Sequence, residues 1–326
     1  METIAISTFS IRDGALGAKR RLNLHVFDAL TGPVLLPTLL ATGHSPGPIL
    51  LAVAGVHGDE YEGMEAIRLV FDALDPTRMR GTFVGIPIAN PFAYEARARI
   101  APLHIDGLNL ARIFPGDPDG SPSRVLAHAL LEFVLANLTA DDIFLDFHSG
   151  SADAAYGTLI GFRDIPGPAT AAAEEAARHF GIDRLWRIPD SPGPFNAETA
   201  RRGIVTLGTE TTGRAGCDAA DVATFVQGLT NLLAFRGILS DSAVPTRYDA
   251  PARGTVEVRA PDAGFLRGAR RLYEDVAAGD DLGTLITPFG EVIATLRAPI
   301  DGTLWAARTM PPVRTGELLY MIASRS

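Results

Sequence analysis

Residues 49–66 read ILLAVAGVHGDEYEGMEA, and the fold turns on this stretch. From Ile49 to Gly55 every residue is apolar or small, with no alternation, as in a strand covered on both faces. The run breaks at His57-Gly58-Asp59-Glu60, and from Glu62 to Leu74 apolar residues recur at helical spacing. A buried strand leading through a short polar turn into a helix is the repeating unit of a parallel sheet.

The unit recurs along the chain to about Gly237. Thr82–Ile88, Ile143–Phe147 and Ile204–Leu207 read as further strands, and Arg124–Leu138, Ala169–Phe180 and Asp221–Phe235 as helices. The expected class is α/β, with a mostly parallel sheet flanked by helices, preceded by a β-rich segment over residues 1–45. After Arg253 helical periodicity disappears and Gly and Pro recur between short Val, Leu and Ile segments. Two stretches there are alike, VAAGDDL at 276–282 and VRTGELL at 313–319, which suggests a small β sandwich with quasi-twofold symmetry. The polar connection Ser240–Pro251 carries two prolines. It is expected to divide a catalytic domain, residues 1–240, from a β lobe, residues 251–326.

Composition removes several classes of function. Across 326 residues, 38 acidic side chains outnumber 29 basic ones, a formal charge of −9 without the electropositive footprint that nucleic acids require. Lys19 is the sole lysine and no GxxxxGK surrounds it, which excludes a phosphate-loop NTPase, a pyridoxal Schiff base and a biotinyl carrier. Cys217 is the sole cysteine, so any bound metal must take its ligands from the seven histidines and the carboxylates. No apolar run approaches membrane-spanning length and no secretory leader is visible, so a cytoplasmic protein with no membrane partner is expected.

Three polar clusters each follow an apolar strand directly: His57–Glu60, Asp146-Phe147-His148, and the acidic turn at Glu210. In open α/β sheets, ligands bind at the carboxyl ends of strands, where separate loops converge. His57 and Glu60, three apart at a helix start, can point at one ion. His148 would complete two imidazoles and a carboxylate, the open ligand set of catalytic zinc. Asp146 could orient a ligand ring. An HxxE pair by itself is equally compatible with a hydrogen-bonded loop. Gly43-His44-Ser45-Pro46-Gly47 fits GxSxG, but it precedes a strand instead of following one, so a turn is the better reading than a nucleophile elbow. His128 and His179 read as helix residues and His25 as a strand residue without catalytic meaning. His104, between Arg99 and Arg112, is a candidate for lining a substrate site.

The segments GVHGDEYEG (55–63), NPFAYEARAR (90–99), DGLNLARIFPG (106–116), DFHSG (146–150) and TETTG (209–213) together resemble the succinylglutamate desuccinylase/aspartoacylase family, a branch of the zinc-carboxypeptidase-like fold. The likeness extends to the branch of N-acetyl-diaminobutyrate deacetylases. It implies one Zn²⁺ per chain on His57, Glu60 and His148, Glu210 as general base and acid, and Arg99 polarising the scissile carbonyl. It also implies Arg112, with Asn109 nearby, as the grip on the substrate carboxylate. The expected reaction is hydrolysis of the amide of a small N-acylated amino acid or amine. A metallocarboxypeptidase acting on short peptides and a non-catalytic binding protein of the same fold are the alternatives, and a homo-oligomer is compatible with either. One departure stands out: the family pattern NLNR is Asn109-Leu110-Ala111-Arg112 here, so the substrate either lacks the usual α-carboxylate or presents it differently to Arg112. The tail, through VAAGDDLGTL (276–285), APIDG (298–302) and VRTGELL (313–319), resembles the biotinyl/lipoyl-like barrel sandwich, without the carrier lysine.

Overall fold

The computed structural model describes residues 1–30, 32–240 and 253–325. Ten strands precede the tail: β1 (Glu2–Ala5), β2 (Ala18–Ala29), β3 (Gly32–Thr42), β4 (Ser45–Val53), β5 (Arg80–Ile86), β6 (Ile143–Asp146), β7 (Ala154–Tyr156), β8 (Leu159–Arg163), β9 (Leu185–Ile188) and β10 (Val205–Glu210). All but β7 form one nine-stranded sheet in the order β1-β2-β3-β5-β4-β6-β10-β8-β9. Its centre, β5-β4-β6-β10, is parallel throughout, and β8 runs antiparallel to β10. The expected α/β class is what the chain adopts; in the GxSxG stretch Gly43-His44 form the turn and Ser45-Pro46-Gly47 already belong to β4, with no helix before Glu62, so it is not a nucleophile elbow.

Six α-helices cover this sheet: α1 (Glu62–Ala73), α2 (Pro91–Glu95), α3 (Pro122–Asn137), α4 (Pro168–Arg178), α5 (Phe195–Arg201) and α6 (Ala219–Phe235). One apolar core joins α1, α4 and α6 to one face through Ile67, Ala176 and Leu229. A second joins α3 and α5 to the opposite face through Leu130, Phe144 and Phe195. Central strands lie between two apolar layers, which is why Leu50–Val53 carries no polar residue and is fully buried.

The tail contains eight strands: β11 (Thr255–Arg259), β12 (Gly264–Gly268), β13 (Asp275–Val276), β14 (Asp281–Ile286), β15 (Val292–Arg297), β16 (Gly302–Arg308), β17 (Pro312–Val313) and β18 (Leu318–Ser324). They build two sheets, β11-β18-β16-β13 and β15-β14-β12-β17. Exchanging β11 with β15, β18 with β14, β16 with β12 and β13 with β17 maps one sheet onto the other, the symmetry that the repeated VxxGxxL segments anticipate. The turn glycines match too: the Gly279 amide donates to Ala298 and the Gly316 amide to Ala260, both at 2.8 Å.

The two parts are tied together by β7, which leaves the N-terminal region and pairs with β16, Tyr156 opposite Ala306. Arg308 then bridges Asp153 at 2.8 Å and Glu317 at 3.1 Å, and Trp305, Met321 and Leu159 share one apolar seam. The connection expected at Ser240–Pro251 lies, beyond Ser240, outside the described residues. No described helix is long and apolar enough to cross a membrane.

Candidate active site

Adjacent strands of a sheet lie about 4.8 Å apart, so the C-terminal ends of the neighbouring parallel strands β4, β6 and β10 present their following residues side by side. His57 and Glu60 leave β4, His148 leaves β6, and Glu210 ends β10. The loop after β5 and α2 adds Arg99 from the next strand over. Gly58 allows a close approach here, since a Cβ on it would lie 2.0 Å from the Ala93 carbonyl carbon of α2.

The structure brings His57, Glu60 and His148 together, with one ligand atom from each lying within 4.8 Å of the others. His57 and Glu60 are buried and His148 is partly so. His57 Nδ1 is 2.8 Å from Glu60 Oε1, and His148 Nδ1 is 2.9 Å from Glu60 Oε2. The far nitrogens are spoken for: His57 Nε2 meets Asn109 Oδ1 at 3.1 Å, and His148 Nε2 faces Asp146 Oδ2 at 3.2 Å. An Nε2–H donated to Asn109 leaves the His57 Nδ1 lone pair facing Glu60. Burial, aided by the charge of Arg99, pushes His57 down to about 4, so this ring is neutral. Burial alone would disfavour charge on His148 and Glu60. Asp146 and Glu60 nevertheless hold His148 well above its ordinary value, and the two histidines hold Glu60 well below its own.

The donor set suits a divalent cation. Two imidazole nitrogens and a carboxylate oxygen converge, with the carboxyl groups of Asp146 and Glu210 beside them. Asp146 Oδ1, Glu210 Oε2 and His57 Nδ1 are buried without a hydrogen-bond partner, while Asp146 Oδ2 meets His148 Nε2 alone. Buried polar atoms left this way are costly unless a partner joins them, and a cation is a partner that these donors fit.

Around this cluster, Arg99 Nη1 donates to Glu60 Oε1 at 2.8 Å and also to Ser151 Oγ. Ser149 Oγ donates to the buried Glu62 at 2.7 Å, anchoring the DFHSG turn to α1. Burial, reinforced by the charge of Glu60, pushes Glu210 up to about 8. Asn109 caps a single 3-10 turn over Leu110–Arg112, accepting the Ala111 amide at 3.0 Å with the oxygen that meets His57. Arg112 Nη1 donates to the Ala111 carbonyl, and no described carboxylate pairs with its guanidinium.

His57, His148, Glu210, Arg99 and Arg112 line one cavity of about 100 Å³. It opens into a vestibule of about 440 Å³ that shares Arg99, Arg112, Tyr156 and Glu257 with it. The tail of the same chain closes the cavity through Glu257 of β11 and Met321 of β18. Tyr156, Arg163, Asn196 and Glu257 were not singled out by the sequence. They stand in no motif, and only strand pairing and the tail bring them to the cavity. His104 is exposed and lines neither space, His25 pairs with Asp28 at 2.9 Å, and His179 stacks on Phe235.

A mixed, mostly parallel sheet flanked by helices, with a His-Glu-His cluster at its carboxyl edge and a β lobe after it, is an α/β fold of the kind the succinylglutamate desuccinylase/aspartoacylase structures share. Residues 46–236 match the model of the succinylglutamate desuccinylase/aspartoacylase catalytic domain, and the chain belongs to that family. It is 27% identical over 330 residues to the N-alpha-acetyl-L-2,4-diaminobutyric acid deacetylase of Halomonas elongata, covering 95% of this chain and 92% of that protein. Among solved structures, a succinylglutamate desuccinylase/aspartoacylase from Rhodobacter sphaeroides superposes with a TM-score of 0.83 at 25% identity, covering 96% of this chain and 98% of that one. The product-bound ectoine utilization protein EutE (DoeB) from Ruegeria pomeroyi shares the fold, with a TM-score of 0.82 at 23% identity over 95% and 96% of the two chains.

Proposed function

We propose that the protein is a zinc-dependent deacylase that hydrolyses the amide bond of a small N-acylated amino acid or amine. The observation that carries this reading is the meeting of His57, Glu60 and His148 at a cavity that Glu210 also lines, with its Oε2 buried and without a partner.

His57 and His148 would hold the ion through Nδ1 and Glu60 through its carboxylate, with Asn109 and Asp146 fixing the two rings from behind. A bound zinc ion supplies Lewis acidity, lowering the pKa of water toward about 7 and polarising the carbonyl. Glu210 takes the proton of the attacking water and returns it to the leaving amine, a contribution of about 10²–10⁴ in rate. Burial and the charge of Glu60 raise its pKa in the metal-free protein, and a bound cation would draw it down again, toward the carboxylate that a general base must be. Arg99, permanently charged, faces the same cavity and supplies donors to the oxyanion that develops at the carbonyl. Arg112 and its neighbours meet the substrate's charged end.

Closure by Glu257 and Met321 favours a small substrate over a peptide. Ala111 points the same way, because a carboxypeptidase depends on a full set of contacts to the terminal carboxylate. The diaminobutyrate derivative named for the Halomonas relative is therefore the first compound to try. The test is a panel of N-acetyl and N-succinyl amino acids against short peptides, run on protein of measured zinc content. Hydrolysis of an N-acyl compound that scales with zinc is expected. Undiminished turnover in metal-free protein, or cleavage confined to peptides, would overturn the reading.

A further inference from the structure

We propose that Arg163 is a specificity-determining residue that binds a carboxylate of the substrate at the inner end of the cavity, together with Arg112. This rests on the deacylase reading above and adds the chemical class of the group bound there.

Arg163 ends β8 and is only 9% exposed. Its Nε donates to Asn196 Oδ1 at 2.8 Å, and its Nη1 donates to the Pro189 carbonyl at 2.9 Å and Ser191 Oγ at 3.2 Å. All three acceptors are neutral. No described carboxylate lies within ion-pair distance, and no described partner uses Nη2. Burial pushes the group down only to about 10, so it is a cation at neutral pH. A buried guanidinium is costly unless an anion meets it, and the fork of an arginine matches a carboxylate.

The guanidinium is aimed where a ligand can reach it. Arg163 lines the cavity that holds His57, His148 and Glu210, but not the outer vestibule, whereas Arg112 lines both. The sheet leaves the way clear. Glu210 pairs with Leu159 and Gly208 with Gly161, which places Gly208 and Gly161 on the same face as Glu210 and Arg163. No side chain therefore rises from the strands between the acid and the guanidinium. A Cβ on Gly208 would crowd Asn196 Nδ2 at 3.1 Å. Of the cavity's arginines, Arg99 is committed to Glu60 and Ser151, and Ala111 offers no polar side chain. Arg112 and Arg163 remain to receive an anion.

Arg163 also braces residues 189–196, so the test must separate bracing from recognition. Zinc-loaded wild type, Arg163→Gln and Asn196→Asp are assayed on two matched pairs: an N-acetyl amino acid against its carboxamide, and an N-succinyl amine against its N-butyryl analogue. Asn196→Asp keeps Arg163 in place but gives it an internal acid, so the comparison survives if Arg163→Gln does not fold. The expected result is a loss of about 10- to 100-fold in kcat/KM, mainly in KM, on the carboxylate-bearing member of one pair. The uncharged member of that pair should change less than about threefold, and the affected pair tells whether the carboxylate sits on the amine or the acyl half. Parallel losses on both members, or none on either, would overturn the assignment. Should wild type hydrolyse none of the four, the deacylase reading fails, and succinate binding decides this one separately. A rise in melting temperature with succinate that is lost in Arg163→Gln and Asn196→Asp supports it, and an equal rise in all three proteins refutes it.

Discussion

His57 Nε2 lies 3.1 Å from Asn109 Oδ1, and that oxygen also accepts the Ala111 amide, so the loop carrying Arg112 and the ring of His57 are held by a single atom. The consequence is a fixed tautomer, with the Nδ1 lone pair facing Glu60. Replacing Asn109 by Ala removes the acceptor and should weaken zinc binding by about 10- to 100-fold. Competition against a chromogenic chelator measures it, and unchanged affinity would show that the contact does not orient the ring.

Glu210 has a buried oxygen with no partner and stands outside the three-atom cluster. Glu210→Gln should therefore keep its zinc while kcat falls by about 10²–10⁴. Zinc stoichiometry and turnover measured on the same preparation separate the two effects, and loss of metal in this variant would assign Glu210 to binding instead.

A Zn²⁺ ion held by His57, Glu60 and His148, as proposed, would stabilise the fold by binding it and not the unfolded chain. Saturation at a thousand times the dissociation constant corresponds to about 4 kcal/mol. Dialysis against chelator should lower the melting temperature, and added Zn²⁺ should restore it. A melting temperature indifferent to both treatments would count against the site.

Asp106 gathers the Ser123 amide and hydroxyl, the Ser121 hydroxyl and the Leu108 amide at the start of α3. Burial raises its pKa, but these hydrogen bonds outweigh it, and the net shift is downward. A group depressed on folding adds stability above its unfolded value of about 3.9 and loses it as pH falls through the lower folded value. Asp106→Asn should melt below wild type by a constant margin from pH 5 to 8, and the margin should shrink below about pH 4. Since the carboxylate also sits at the positive end of a helix whose first residue is Pro122, Asp106→Ala should cost about 1–2 kcal/mol. A margin that is flat down to pH 3 would assign the effect to packing.

Much of the α/β region was legible because its pattern is local. The apolar run at 49–55 gave β4, the helical spacing from Glu62 gave α1, and each chemical cluster lies immediately beyond a strand end. The shorter elements β8, β9 and α5 were not seen. Leu159–Arg163 has only five residues with a glycine inside, and Phe195–Arg201 only seven, too few to establish a period. The same elements carry Arg163 and Asn196, so the unread part of the fold is also the unread part of the site.

By itself, the order of residues determined that His57, Glu60, His148 and Glu210 would emerge at strand ends, and that the tail would repeat VxxGxxL around a twofold. These depend on periodicity and on turns a few residues long, which a chain expresses without knowing its distant neighbours. Tertiary structure alone decided that β7 leaves the first sheet to pair with β16, and that Glu257 and Met321 close the cavity from within the same chain. It also decided that Arg163 comes to rest beside neutral acceptors, with no described carboxylate in ion-pair contact. The cavity brings together residues as far apart in sequence as His57 and Met321. Their geometry is set by packing and strand order, for which no short stretch of sequence carries a signal.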